Sequence, residues 1–365
     1  MANNMEPRVH PFFEPKTCSW QYVVACPERK EAAIIDPVLD YDPGNFLITS
    51  ESADELIECV LKNGYTVTML LETHAHGDHL SAAYYIQQTL WSRGQPHAQI
   101  CIGENVRVVQ SHFAQKYQIP RQEIDTAFDH LFQPDEVFNI GDVTSIALHL
   151  PGHTPDHGGY KIGHNIFTGD SMFNPDVGSG RCDFPGGDSR ELFRSMKRLL
   201  AFPPETRLYT GHDYPPSNEY TARDPLPYVT VGEQEKKNKH IKNDSSEDDF
   251  VKWRTQRDKE MPEPKLVHQA MQVNVRGGRM PSKSHNGKAY LLYLINVPKV
   301  LRNNVGRFVW SKVDGERRER EREREKRNYL LHVDLSYMGL DALRHPRTQH
   351  IYSRNCIVHW DFDSP

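Results

Sequence analysis

Thr73-His74-Ala75-His76-Gly77-Asp78-His79, directly after the apolar run that contains Val67, Met69, Leu70 and Leu71, is the stretch that decides how this chain reads. Four metal-capable side chains, His74, His76, Asp78 and His79, fall within six residues. Imidazole nitrogen and carboxylate oxygen are the donors that borderline divalent metals select. A strand ending in such a loop can turn side chains toward two adjacent metal positions. A loop that is polar by chance would need no partners elsewhere, and partners are present.

Each further candidate follows its own short apolar run. Thr144–Leu150 leads into Pro151-Gly152-His153-Thr154, Asn165–Thr168 into Gly169-Asp170, and Arg207–Tyr209 into Thr210-Gly211-His212-Asp213. Runs of this length bounded by Gly and Pro predict strands. The candidate ligands therefore sit on loops just past strand ends, where sites are commonly built on a rigid sheet.

These residues carry a family resemblance. The order His-x-His-x-Asp-His, Gly-His-Thr, Gly-Asp, Gly-His-Asp resembles the metallo-β-lactamase superfamily. The segments Leu39–Pro43, His79–Ala83, Phe167–Asp170, Gly178–Phe184 and Gly211–Tyr214 resemble its persulfide dioxygenase branch, as do Glu233-Gln234 with Asn238 and Gln272–Arg279. The likeness runs from about Val9 to Pro281 and is most specific over Leu71–Tyr214. It implies an α/β fold, a four-layer α/β/β/α sandwich, followed by a C-terminal extension outside the family pattern.

The resemblance also implies chemistry. In a hydrolase of the glyoxalase II type, His74, His76 and His153 would hold one metal and Asp78, His79 and His212 a second, either zinc or iron, with Asp170 bridging. In a persulfide dioxygenase a single Fe(II) would be held by His74, His153 and Asp170. His76, Asp78, His79 and His212 would then orient ligands and waters, and His76→Ala should be milder than His74→Ala. The implied substrates are glutathione persulfide and O2, giving glutathione and sulfite. Arg181, Tyr214 and His240 are the candidate substrate-binding residues, with an internal salt bridge the competing role for Arg181. Cys182, beside Arg181, reads as an inert thiol. His157 and His164 read as turn or rim residues, with an approach of His157 to the site in the folded chain the alternative, and His149 as buried within its strand. A homodimer is expected from the family.

Composition narrows the alternatives. The 365 residues suit one large or two ordinary domains, and the net charge of -5 gives no general attraction to nucleic acid. Six scattered cysteines without a Cys-x-x-Cys pair argue against a disulfide framework. No apolar run reaches the length of a membrane span. Neither a signal peptide nor an Arg-rich transit segment is evident over Met1–Lys16, so the cytoplasm or the mitochondrion is expected.

Along the chain, strands are expected at Trp20–Ala25, Ala32–Ile35, Val67–Glu72, Gln99–Ile102, Val143–Leu150, Gly159–Ile162 and Ile166–Thr168. Helices are expected at Ala53–Asn63, with a Ser52/Glu55 capping box, and at Leu80–Leu90, Ser189–Leu200, Val231–His240 and Glu247–Lys259. Gln272–Arg279 alternates and ends in Gly-Gly, which predicts a strand and turn. The expected organisation is a catalytic domain over residues 1–225, its completion over 226–282 and a charged extension over 283–365. Within that extension Glu316–Arg327 alternates Glu with Arg. Such a run reads as a solvated or partly helical segment, or as an interaction arm in a member without enzymatic activity.

Overall fold

The computed structural model describes residues 5–216, 222–242, 244–284 and 286–295, together with 329–330, 352–353 and 356–357. The Glu316–Arg327 run and most of the expected extension lie outside the described residues. The chain divides into two units, Met1–Leu330 and Leu331–Pro365; in the second, the described residues form the paired strands Tyr352–Ser353 and Cys356–Ile357.

The first unit is built on two six-stranded sheets. In chain order its strands begin with β1 (Arg8–Glu14), β2 (Ser19–Ala25), β3 (Glu31–Ile35), β4 (Val38–Asp42) and β5 (Leu47–Thr49). Helix α1 (Glu51–Asn63), β6 (Thr66–Leu71), β7 (Leu80–Ser81), α2 (Ala83–Ser92) and β8 (Gln99–Gly103) follow. Next come α3 (Val106–Tyr117), α4 (Arg121–Asp125), β9 (His130–Phe132), β10 (Glu136–Ile140), β11 (Val143–His149), β12 (Gly158–Ile162) and β13 (Asn165–Phe167). The unit continues with α5 (Ser189–Leu200), β14 (Arg207–Tyr209), β15 (Tyr228–Thr230), α6 (Val231–Lys237), α7 (Glu247–Lys259) and α8 (Val267–Asn274), and then the paired strands Leu294–Ile295 and Tyr329–Leu330. The first sheet runs β1-β2-β3-β6-β8-β9 and the second β10-β11-β12-β13-β14-β15, while β5-β4-β7 forms a small third sheet.

Side-chain alternation along the strands produces the layers. In β2, Tyr22 and Val24 join Phe167 and Tyr209 in the core between the two large sheets, whereas Val23 and Ala25 pack with Leu56, Val60 and Ile86 of α1 and α2. In the second sheet, Ile166 and Leu208 point outward to Leu192, Met196 and Leu199 of α5. Both faces of each sheet are therefore covered, and the order is helix, sheet, sheet, helix, as the resemblance implied. Full burial of side chains such as Tyr22, Phe167 and Leu70 contributes about 1.5–3 kcal/mol apiece before the entropy of ordering is subtracted.

Most expected elements form within a residue or two of their expected ends. Four differences have physical causes. Leu80–Ser81 pairs with Val38–Leu39 as β7, so α2 starts only at Ala83. The Ser52/Glu55 capping box does not form: α1 begins two residues earlier, and Ser52 donates through N and Oγ to Asp40 of β4 at 2.9 and 3.0 Å. Strand β1 escaped the sequence pattern because Pro11 interrupts it, which an edge strand paired only with β2 tolerates.

The fourth difference is that Gln272–Arg279 is not a strand. Its first half ends helix α8, whose Ala270 and Val273 face the α1/α2 core while Val267 and Met271 face Phe113 of α3. The following chain turns at Gly277 and Gly278, with φ of 63° and 82°. The local alternation was overridden because the apolar stripe belongs to a helix that begins upstream at Val267.

Helix α8 also fixes the histidine loop. Buried Asn274 donates through Nδ2 to the His76 and His79 carbonyls at 2.7 and 2.8 Å and accepts the Ser81 N–H at 2.8 Å. Asn274→Ala would leave three buried backbone groups without partners, so a loss of about 3 kcal/mol is expected in urea unfolding. A loss under about 1 kcal/mol would show that the loop holds its shape without this clamp.

Candidate metal centre

The two large sheets meet along the edge where the ligand-bearing loops emerge. Trp20 N–H donates to the Gly211 carbonyl at 2.8 Å and Asp213 N–H to the Cys18 carbonyl at 3.1 Å. The loop after β14 is thereby stitched to the start of β2, and a single Ser19–His212 bridge closes the junction. Loops after β6, β11, β13 and β14 then bring His74, His153, Asp170 and His212 to one place, though more than a hundred residues separate the first from the last.

The side chains converge closely. Ring centroids of His74 lie 4.1 Å from His76 and 5.0 Å from His153, and His76 lies 4.3 Å from His79. One donor atom each from His74, His153 and Asp170 fall within 4.8 Å of one another, as do those of His76, Asp78 and His79. His153 Nε2 is 3.5 Å from Asp170 Oδ2, while His212 Nε2 is 3.2 Å from Asp78 Oδ2 and 3.6 Å from Asp170 Oδ1. All seven residues of the expected set are gathered.

Hydrogen bonds decide which nitrogen of each ring is available. Thr73 Oγ1 donates to Asp36 at 2.9 Å, so it accepts from His74 Nδ1 at 3.0 Å, and His74 Nε2 keeps its lone pair. His153 Nδ1 donates to the Arg181 carbonyl at 2.6 Å, His79 Nδ1 to the Leu80 carbonyl at 3.2 Å and His212 Nδ1 to the Cys18 carbonyl at 3.2 Å. Each leaves Nε2 bare. His76 is reversed: its Nε2 donates to Asp36 at 3.0 Å and lies 3.4 Å from Glu72, which leaves Nδ1. Among the described residues, buried His74 Nε2, His76 Nδ1, Asp78 Oδ2 and Asp170 Oδ1 all lack a hydrogen-bond partner. Desolvated lone pairs facing one another are costly unless a cation receives them, and outward N–H groups held by oxygen are the usual support of metal-bound imidazole. The donor set fits a divalent metal.

The electrostatics favour neutral imidazoles at His74 and His79 and an ionised carboxyl at Asp78, whereas at His76 and His212 burial is outweighed by neighbouring carboxylates, which hold those two rings above the ordinary value. Burial holds the His74 imidazole well below its ordinary pKa, and burial with the nearby His76 draws His79 down to about 4. Burial pushes Asp78 upward, but His212 and the other imidazoles outweigh it and hold the carboxyl at about 2.

Several residues of the centre were not legible in the sequence. His157, expected at a turn or rim, is fully buried. Its Nε2 accepts the Asp170 N–H at 2.9 Å, and its Nδ1 donates to Ser171 Oγ at 3.1 Å, with Ser171 passing its proton to the Leu150 carbonyl at 3.3 Å. His157 therefore sets the backbone from which Asp170 projects. Gly169 is required beside it: its φ is +49°, and a Cβ there would meet His157 Nε2 and Thr73 Oγ1 at 2.7 Å each. Asp36, with φ of 49°, receives the Thr73 N–H at 2.7 Å, the Thr73 hydroxyl and the His76 ring. Its signal was a lone Asp-Pro after a strand. His149 is half-buried near Asn105, and His164 lies at the exposed hairpin as expected.

A cavity of about 1090 Å³ opens onto Asp78, His153, Asp170 and His212. Arg181, Tyr214 and His240 all line it. Arg181 also forms the competing salt bridge, with Asp183, and donates to the Pro262 carbonyl at 2.9 Å. The Tyr214 ring stacks on His212 at 5.8 Å and 10° and packs edge-on to Phe173. His240 is not a cationic contact: burial and the neighbouring Lys239, Arg254 and Arg257 push it down to about 3, and its Nδ1 accepts the Ser179 N–H at 3.0 Å. Lys239, Arg257, Lys116 and Lys265 supply positive charge to the walls instead. Cys182 is buried, which pushes its thiol far above the ordinary value and keeps it protonated.

Because His76 is the partner of two buried carboxylates, its removal acts on stability as well as on the metal. His76→Ala is expected to lower unfolding free energy by roughly 3–5 kcal/mol, the usual cost of stranding buried charge. Denaturant unfolding of the metal-free protein measures this; a change below about 1 kcal/mol would mean that Asp36 and Glu72 are satisfied without it.

Comparison with known proteins agrees with this geometry. The chain is 44% identical over 291 residues to a β-lactamase hydrolase-like protein of Xylella fastidiosa, covering 80% of this chain but only 65% of that relative. It is 37% identical over 302 residues to glyoxylase B2 of Dictyostelium discoideum, covering 82% of this chain and all of the relative. The crystal structure of ETHE1 from Myxococcus xanthus superposes with a TM-score of 0.58 at 23% identity, over 74% of this chain and all of that one, and shares the fold. Residues 19–212 match the metallo-β-lactamase superfamily signature. With the seven ligand-type residues of that pattern gathered at one sheet edge, this chain belongs to the metallo-β-lactamase superfamily.

Proposed function

We propose that the protein is an iron-dependent persulfide dioxygenase acting on glutathione persulfide. The overall reaction is glutathione persulfide plus O2 plus water giving glutathione, sulfite and two protons. The observation that carries this reading is the trio His74, His153 and Asp170, with donors within 4.8 Å of one another, while His76 is grouped instead with Asp36 and Glu72 or with Asp78 and His79. Two imidazoles and one carboxylate with open positions suit non-haem Fe(II). When bound, iron supplies the electron chemistry with O2 that side chains lack.

The remaining work falls to the chain. Lys239, Arg257, Lys116 and Lys265 on the cavity walls attract the carboxylates of a glutathione moiety. Tyr214, its ring fixed on His212, offers a hydroxyl at the mouth of the site. Phe113, Phe184 and Val267 line the cavity and restrict water around the sulfur end. Asp78 and His212 sit beside Asp170, with His212 Nε2 3.2 Å from Asp78 Oδ2 and 3.6 Å from Asp170 Oδ1.

A second reading has its own support. Asp78, His79 and His212 complete a second set of donors next to Asp170, and glyoxylase B2 is a full-length relative. Two metals there would suit thioester hydrolysis.

Oxygen uptake by anaerobically purified, Fe(II)-loaded protein separates the two. Uptake on addition of glutathione persulfide, with sulfite formed, is expected, and both iron and activity should be lost in His74→Ala and Asp170→Ala. Protein that holds a single iron per chain yet consumes no O2 would overturn the proposal. Thioester hydrolysis with two bound metals would then be the supported activity.

A further inference from the structure

The segment Gly178–Asp183 has one side held by helices and the other against the metal centre. On the held side, Arg254 of α7 donates through Nη1 to the Gly180 carbonyl at 3.0 Å and the Ser179 carbonyl at 3.4 Å. Asp258, one turn further along α7, accepts the Cys182 N–H at 2.8 Å and pairs with Arg254 Nη2. Asn238 donates to the Gly178 carbonyl at 3.3 Å, and His240 accepts from Ser179. Arg254 and Asp258 are 2% and 6% exposed.

On the site side, the Arg181 carbonyl receives the His153 Nδ1 proton at 2.6 Å. Gly180 packs so closely that a Cβ would stand 2.2 Å from the Asp170 carbonyl oxygen and 3.4 Å from His153 Nδ1. The segment thus touches two members of the trio. A buried Arg–Asp pair gives little net stability over apolar residues of similar size, so its stability contribution does not account for its place here.

We propose that the Arg254–Asp258 pair is a positioning device for His153. By fixing the backbone on both sides of Arg181, it fixes the one carbonyl that selects the His153 tautomer and aims Nε2 at the metal. Arg254 and Asp258 touch no reacting atom; they act through the Arg181 carbonyl. Loss of the pair frees that carbonyl, so His153 loses its orientation and the metal position loses a well-directed donor. The inference rests on His153 being a metal ligand.

The test uses the full-length protein and Co(II), whose visible absorption reports its ligand geometry. Arg254→Met and the double variant R254M/D258L are titrated beside wild type and His153→Ala. The double variant removes both buried charges together and so strands neither; the Gly180 carbonyl and the Cys182 N–H lose their partners, so its melting temperature should fall, but it should remain folded at the temperature of the titration. Its Co(II) affinity should nonetheless fall roughly tenfold to a hundredfold, as for other groups that orient a ligand, with displaced absorption bands. Wild-type affinity and bands in the folded double variant would overturn the proposal. If it fails to fold, Asp258→Asn is read in the same way: weaker Co(II) binding with displaced bands supports the device, and unchanged binding refutes it. His153→Ala separates the two levels. Unchanged Co(II) binding there would refute His153 as a ligand, whereas loss of binding there alone would refute only the role of Arg254 and Asp258.

Discussion

The hydrogen bond from the outward nitrogen of each histidine to a fixed oxygen is the constraint on which the site depends. An imidazole that donates through one nitrogen must present a lone pair at the other. Thr73 Oγ1 and the carbonyls of Leu80, Arg181 and Cys18 make that choice for His74, His79, His153 and His212. For His76 the choice is made by Asp36 and Glu72, and it falls on the opposite nitrogen. The oxygens come from different loops, so the loops must be fixed before the donors can converge.

The sandwich fixes them. Two sheets covered by helices on their outer faces leave one edge where strand ends and loops are free to build a site. The histidine loop is tied to α8 through Asn274, the loop after β14 is tied to the start of β2, and the Gly178–Asp183 segment is tied to α7. Helices far from the ligands in sequence thereby set their geometry. The rigidity of this frame holds desolvated lone pairs together, and a bound cation would supply the partner they lack.

The cavity adds a second layer of meaning. Its walls carry lysine and arginine together with aromatic and aliphatic groups. His240 shows how context alters a residue read from sequence alone: burial, with cationic neighbours, keeps it neutral, and it serves as an acceptor for the loop backbone.

Much of this was legible in the chain. His74, His76, Asp78 and His79 announce themselves because four donors follow one strand within six residues. His153, Asp170 and His212 each stand behind a short apolar run, and alternation along those runs located most strands. His157 and Asn274 were not legible, because a single polar residue carries no periodic signal and its partner lies in distant chain. Alternation over Gln272–Arg279 pointed to a strand, and packing of Val267, Ala270, Met271 and Val273 against two cores made it the end of a helix. The sequence by itself determined which side chains can bind a metal and that they follow strands, since ligand chemistry and strand periodicity are local. Only the tertiary structure decided which nitrogen of each ring faces inward and which carbonyl holds it there, because those hydrogen bonds join residues that meet only when the two sheets close on one another.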